Sequence, residues 1–259
     1  NALIRQFKPP REYDFRTARQ DYPEGAWQTP SKQNIDDFSA IAYFFAKHIQ
    51  ADQNIPIGVI SIAKGGSAAE GWLSEEALQA FPKYIEVVKS LRQKGHPETL
   101  IEQDRKDSAA WFAKMNKADK GMHKRNAWYD PDYNDSQWAK VLIPGQFSQM
   151  RSVKGEPDGS RGSHWLRRQI RLPSSQSLRQ AQLWLGRIVD ADTVYVNGQE
   201  IGTTSYMYPP RIYNIPDGVL KKGQNTIAVR VVDVSGNGGF VRDKPYVLKL
   251  DGMELDLTG

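Results

Sequence analysis

The feature that most constrains this chain is a change of period near residue 125. Beyond it Asp, Gly, Pro and β-branched residues dominate, and apolar positions alternate with polar ones. Alternation with period two is the mark of a strand with one buried face. Segments 166–172, 182–188, 193–196, 226–233 and 246–250 read as strands. Val196-Asn197-Gly198-Gln199 marks a tight hairpin, since Asn-Gly readily supplies two positive-φ positions. Lys222-Gly223-Gln224-Asn225 marks another turn. Many short strands at this spacing predict a β-sandwich of jelly-roll type. No internal repeat or low-complexity tract accompanies it.

The first third follows other rules. Pro9-Pro10, Pro23 and Pro30 forbid a long helix over residues 1–30. Ile35, Phe38, Ile41, Ala42, Phe45 and Ile49 recur at spacings of three or four, which predicts a helix over 33–50 with that apolar face. Ser31 or Asn34 would cap it. Residues 57–62, IGVISI, are a short apolar run suited to a buried strand, and a helix over 68–80 follows a glycine turn. Helix, strand, turn, helix is α/β order. Residues 82–118 predict two further helices broken at Gly95-His96-Pro97. The expected domains are a partial α/β segment over 1–80, a helical connector over 81–124 and the β-sandwich over 125–259.

Composition narrows the function classes. At 259 residues with 39% apolar and 10% aromatic content, the chain can build a real core. No run of about 18 apolar residues exists, so no membrane helix is expected. No signal peptide is visible, and Asn1 is read as a processing or cloning boundary. With no cysteine, disulfides, Cys nucleophiles and thiolate zinc sites are excluded. His48, His96, His123 and His164 show no ligand spacing, so neither a metal nor another cofactor is expected. Residues 82–125 hold eleven Lys/Arg against six Asp/Glu, which matches the whole net charge of +5. Aromatic interleaving there is sparse, so this reads as a solvated helical face and nucleic acid is not an expected partner.

Lys64-Gly65-Gly66-Ser67-Ala68-Ala69-Glu70 carries the sharpest chemical signal. A strand entering a glycine turn before a helix presents backbone N–H groups, and such groups can hold an oxyanion. The same turn can also be an ordinary connection. Gly65-Gly66-Ser67-Ala68-Ala69 approaches the nucleophile-elbow pattern G-x-S-x-G, which would make Ser67 a nucleophile. Alternatively Ser67 and Glu70 form a helix capping box. Glu70 and Trp72 stand as candidate substrate contacts beside Ser67. Asp190 and Asp192 could bind a sugar hydroxyl or a cation, or simply form turns. Trp128, Trp138, Trp165 and Trp184 could stack on sugars, or fill the core.

Taken together, these stretches resemble the sialate O-acetylesterases of the SGNH (GDSL-like) hydrolase superfamily. Leu3-Ile4-Arg5-Gln6-Phe7, Trp27 and Phe38 to Phe45 are similar to the segment after that family's nucleophile block. Pro56 to Ile60 through Gly65-Gly66-Ser67 and Glu70-Gly71-Trp72 resemble its Gly-Gly-Thr block, with Lys64 where Trp is common and Ser67 where Thr is common. Asp135 to Trp138, Trp165 to Arg168, Val194 to Gly198, Asn225 to Val231 and Gly236 to Gly239 resemble its inserted galactose-binding-like jelly roll.

The resemblance implies a partial SGNH-type three-layer α/β segment, and Ser-His-Asp removal of O-acetyl groups from sialic acids or other acetylated sugars. Only the oxyanion-hole backbone at Gly66, with its neighbour Gly65, carries over. The Gly-x-Ser-Asn block would precede residue 1, and the Gln-Gly-Glu and Asp-x-x-His blocks would follow residue 259. The chain is then a central esterase fragment, inactive alone, with an acetylated sugar or glycan as partner and periplasmic or secreted residence implied. Such a fragment would expose apolar α/β surface and could self-associate through it. Two alternatives stand beside it: a carbohydrate-binding jelly-roll module without catalysis, and a serine hydrolase using Ser67.

Overall fold

The computed structural model describes residues 2–10, 14–22, 24–123, 125–150, 161–175 and 177–259. Pro23, one of the helix-breaking prolines, lies outside them. The chain divides into two compact units, 1–105 and 106–259, with the boundary inside a long helix of the expected connector.

The first unit is built on strands β1 (Ile4–Phe7), β2 (Trp27–Gln28) and β3 (Ile57–Ile60) and helix α1 (Ala40–Gln53). The sheet order is β2-β1-β3. β1 and β3 run parallel, with Ile4 opposite Ile57, and α1 makes the crossover that a parallel pair requires. Two short helices follow, α2 (Glu75–Leu78) and α3 (Pro82–Leu91), and then the start of the long α4 (His96–Ala118). Gly95, at φ +81°, separates α3 from α4, and Pro97 sits in the first turn of α4, where a missing N–H costs nothing.

The expected helix over 33–50 begins later than its periodicity indicates. Buried Gln6 explains why. Its Oε1 accepts from Ser39 N at 2.9 Å and its Nε2 donates to Asp37 O at 3.3 Å, which holds the chain extended just before the helix. Ser39, not Ser31 or Asn34, is the cap, its Oγ accepting from Ala42 N. The predicted apolar face is also displaced. Ala46 is buried, whereas Ile41, Phe44 and Phe45 are exposed, because a sheet of three short strands covers only one stripe of the helix. The predicted helix over 68–80 is two short pieces, a 3-10 turn at Ala69–Trp72 and α2. These elements are α/β in character; the three-layer SGNH arrangement is not shown by them.

The second unit is a β-sandwich. Its strands are β4 (Gly145–Gln146), β5 (Gly162–Leu172), β6 (Gln182–Leu185), β7 (Ile188–Val189), β8 (Ala191–Val196), β9 (Gln199–Thr204), β10 (Ile212–Asn214), β11 (Gly223–Asp233), β12 (Gly239–Phe240), β13 (Tyr246–Leu250) and β14 (Met253–Asp256). One sheet has order β5-β11-β8-β9 and the other β10-β6-β13-β14, both antiparallel, with a small β4-β12-β7 sheet beside them. Alternate residues Ile170, Leu172, Val194, Val196, Val229 and Val231 of the first sheet meet Leu183, Leu185, Tyr213, Tyr246 and Leu248 of the second in one buried core. Every segment read from the period-two pattern contains strand, but 182–188 is broken at Gly186, φ +56°, into β6 and β7, which belong to different sheets. Asn197 at φ +49° and Gly198 at φ +84° close the β8–β9 hairpin as the sequence predicts.

The outer face of β5 is covered by residues 119–123 and 125–138. Asp119 Oδ1 accepts from Trp165 Nε1 at 2.9 Å, and its Oδ2 accepts from Arg230 Nε at 2.7 Å. Arg167 pairs with Asp135 at 2.9 Å and donates to the carbonyls of Trp128, Asp130 and Tyr133. Trp128, Trp138 and Trp165 join Tyr129, Tyr133 and Tyr195 in a continuous aromatic layer under this strap. These three tryptophans are therefore packing residues. Trp184 differs: it lies on the outer face of the opposite sheet, with Lys249 Nζ 4.0 Å from its ring centroid.

Candidate functional site

The strand-end turn of the first unit is open. Ser67 N donates to Lys64 O at 3.3 Å, and Gly66 takes φ +79° to complete the turn. A Cβ at Gly65 or Gly66 would meet nothing, so the backbone there faces free space. Ser67 Oγ donates to Lys64 O at 2.7 Å and accepts from Trp72 Nε1 at 2.9 Å. Its proton is thus given to a backbone carbonyl, and neither bond engages a histidine. A nucleophile needs a base in that place. The capping-box reading fails too. Ala68, not Ser67, occupies the capping position before the 3-10 turn and offers no side-chain cap, and Ser74 caps α2 by accepting from Ala77 N. Ser67 closes a turn and positions Trp72, which is exposed. Glu70 is half-buried at the base of the same turn.

The second unit carries a denser polar arrangement at one end of the sandwich. Asp192 of β8 points inward, on the same side as Val194, and is buried. Arg211, fully buried just before β10, donates from Nε to Asp192 Oδ1 at 2.6 Å. Tyr213 of β10 donates to Asp192 Oδ2 at 2.5 Å and meets Thr204 Oγ1 at 2.8 Å. One sheet supplies the carboxylate and the other the guanidinium and phenol, so the network ties the two sheets together. Burial pushes the Asp192 carboxyl above its ordinary range, while the bonds from Tyr213 and Arg211 pull it back. Burial, with the charge of Asp192 beside it, likewise raises the Tyr213 phenol.

Arg211 also organises loops. Its Nη1 donates to Pro209 O at 2.7 Å and its Nη2 to Asp190 O at 3.1 Å. Asp190 Oδ2 in turn accepts from Val234 N and Ser235 N at 2.9 and 2.8 Å. Asp233, fully buried, accepts from Gly236 N and Gly238 N at 2.7 and 2.9 Å. A Cβ at Gly238 would come within 2.5 Å of Asp233 Oδ2, so this loop requires glycine there. The β9–β10 loop, the corner before β8 and the loop after β11 are therefore gathered by one bonded network. Asp192 spends both carboxylate oxygens on buried protein donors, and Asp190 turns its Oδ2 to two backbone N–H groups, so both serve the fold first. On the β9–β10 loop, Tyr206 and Tyr208 remain 55% and 68% exposed, with ring centroids 6.4 Å apart.

Sequence reasoning missed Arg211, Tyr213, Tyr206 and Tyr208. One signal was available: Arg211, Tyr213 and Ile215 alternate on the inward side of a strand, and an inward Arg demands a buried carboxylate. Among the described residues no group of three or more metal-binding side chains gathers, and no helix is long and apolar enough to cross a membrane.

No family model and no curated protein matches this chain. Solved structures match parts of it. A D341A D367A calcium-binding mutant of Bacteroides uniformis β-glucuronidase 2 is 27% identical over 43% of this chain and 14% of its own, with a TM-score of 0.36. The same enzyme covalently bound to cyclophellitol-6-carboxylate aziridine is 23% identical over 45% and 15%, also at 0.36. Ruminococcus gnavus β-glucuronidase is 25% identical over 35% and 15%, at 0.31. The chain thus spans about a seventh of the length of these proteins. TM-scores this low do not establish a fold or an activity for it. The family expectation is corrected all the same by which proteins match and by the lack of any matching family model. The neighbours are glycoside hydrolases, not carboxylic ester hydrolases, and no family model supports an SGNH, GDSL-like or sialate O-acetylesterase assignment. The jelly-roll stretches are strand and turn patterns that many β-sandwiches share, and with the Gly-Gly block they are too little to define that family.

Proposed function

We propose that the second unit is a carbohydrate-binding β-sandwich of jelly-roll type without a catalytic centre of its own. The observation that carries this reading is the pair of exposed rings, Tyr206 and Tyr208, on a loop held in place by buried Arg211. Aromatic rings present a flat apolar face to the C–H faces of a sugar ring, and their hydroxyls serve the sugar's own hydroxyls. A loop already fixed in one conformation loses little entropy on binding. Solvent-exposed tyrosines otherwise gain nothing from such bracing. The likeness to β-glucuronidases is compatible with this reading and does not carry it.

The test is titration calorimetry of the full chain against a panel of neutral and acidic oligosaccharides. Tyr208→Ala is expected to weaken binding about tenfold, equivalent to about 1.4 kcal/mol, with a smaller loss for Tyr206→Ala. Trp184→Ala, on the outer face of the sheet, is expected to leave affinity unchanged. Binding that survives removal of both tyrosines would sink this reading.

A further inference from the structure

Arg187 lies beside the tyrosine loop, at the same end of the sandwich as Arg211. Leu185 N donates to Arg211 O and Arg211 N donates to Gly186 O, so the chain entering β10 from the tyrosine loop, through Pro209 and Pro210, lies against the chain leaving β6 at Gly186, the residue before Arg187. Continuing the β13–β6 register past Tyr246 opposite Leu185 brings Lys244 alongside Arg187 from the other side. A Cβ at Gly186 would lie 2.8 Å from Lys244 Cβ, which confirms the closeness. Val241 N donates to Arg187 O at 2.9 Å, so Arg242 follows directly in the chain. Three cations are therefore brought to one strand end.

The charges there do not balance. Arg211 has Asp192, and Asp190 is committed to backbone N–H groups. Arg187, Arg242 and Lys244 make no ion pair among the described residues; exposed Asp243 is the one acid within that loop. Arg187 Nε is buried and meets no hydrogen-bond partner among the described residues. A buried donor left unmet is costly, more so when charged, and in a folded protein it calls for an acceptor. The guanidinium also presents its donors in a planar fork that matches an oxyanion.

We infer that Arg187 is the receptor for an oxyanion carried by the saccharide, a carboxylate or a sulfate, with Lys244 and Arg242 adding field. This inference rests on the carbohydrate-binding reading and deepens it: the preferred substrate class is an acidic saccharide, its ring on Tyr206 and Tyr208 and its anionic group at Arg187.

The experiment uses the full chain and three probes: an oligogalacturonate, its neutral methyl ester, and a sulfated galactan oligosaccharide. The acid is expected to bind at least tenfold tighter than its ester. Arg187→Gln is expected to erase that preference, and Arg187→Lys to keep part of it through charge alone. The sulfated probe tells which oxyanion is favoured. Equal affinity for acid and ester in the unaltered chain, or an acid preference that persists in Arg187→Gln, overturns the inference and leaves the carbohydrate reading standing. A second readout does not depend on saccharide affinity or on the variant's folding: the Arg187 Nε–Hε NMR signal, titrated with free glucuronate and free sulfate. A saturable shift with no oligosaccharide binding supports the anion site and sinks the tyrosine-loop reading. No shift with either anion means that water satisfies Nε, and the oxyanion site is refuted.

Discussion

Each unit contains an arginine–carboxylate pair of nearly the same closest approach, forked in the first unit and through Nε alone in the sandwich, and the two differ most in their surroundings. In the sandwich, Arg211 and Asp192 approach to 2.6 Å with both side chains at 0% exposure. In the first unit, Arg92 and Glu75 approach to 2.5 Å with side chains 38% and 49% exposed. The same contact does different work. Water solvates the exposed pair whether or not it forms, so it adds little. The buried pair can only exist as a pair, and either partner alone would be a stranded charge. The wider units repeat the contrast. Twenty-two buried residues form one core in the sandwich, whereas among the described residues of the first unit the buried apolar side chains are few: Ile4, Pro9, Phe38, Ala46, Leu78 and Ile85.

The largest expected effect comes from breaking the buried pair. Arg211→Met should cost about 3–5 kcal/mol of sandwich stability, read by urea unfolding, because Asp192 is left buried and uncompensated. Pairing it with Asp192→Leu should recover most of the loss, since two apolar residues strand no charge. A double variant no better than the single one would mean that Arg211 stabilises through its loop carbonyls instead.

Alkaline pH should separate the units next. Burial raises the phenols of Tyr195 and Tyr246 to about 12 from an ordinary 10.0, and raises that of Tyr213 as well. Their contribution is fully present below pH 10. Above it the unfolded chain loses phenolic protons that the folded sandwich retains, so stability should fall as pH rises from 10 towards 12. Melting curves across that range should show the sandwich transition moving down, with a shallower slope in Tyr246→Phe. A flat profile would contradict the burial of these rings.

Smaller effects sharpen the comparison. Gly198→Ala places a Cβ at φ +84° and 3.1 Å from Pro131 Cδ, and should cost about 1–2 kcal/mol in the same unfolding assay. At the bottom, Arg92→Met should leave unfolding of the first unit unchanged within error. A clear loss there would show that the exposed pair, together with the Arg92 Nε bond to Phe15 O at 3.3 Å, holds more than its surroundings suggest.

The sandwich was legible because its signals are local. Asn197-Gly198 can be read from two residues, and Val194, Val196, Val229 and Val231 declare their face by alternation alone. The first unit was less legible because its periodicity promised a wider apolar face than its sheet can cover, which left Ile41 and Phe45 exposed. The site was least legible. Ser67 has the neighbours of a nucleophile or a cap in sequence, and only its bonds to Lys64 and Trp72 show that it is neither.

What the sequence by itself determined are properties that depend on near neighbours: strand period, the hairpin turn, the helix break at Gly95 and the absence of thiol chemistry. What the tertiary structure decided are matters of distant partners. Gln6 sets the start of a helix thirty-odd residues away, Asp192 finds Arg211 across the sandwich, and two loop carbonyls converge on one guanidinium. The physical reason is the same in each case. A buried polar group must be satisfied somewhere, and which group satisfies it is set by the packing of whole sheets.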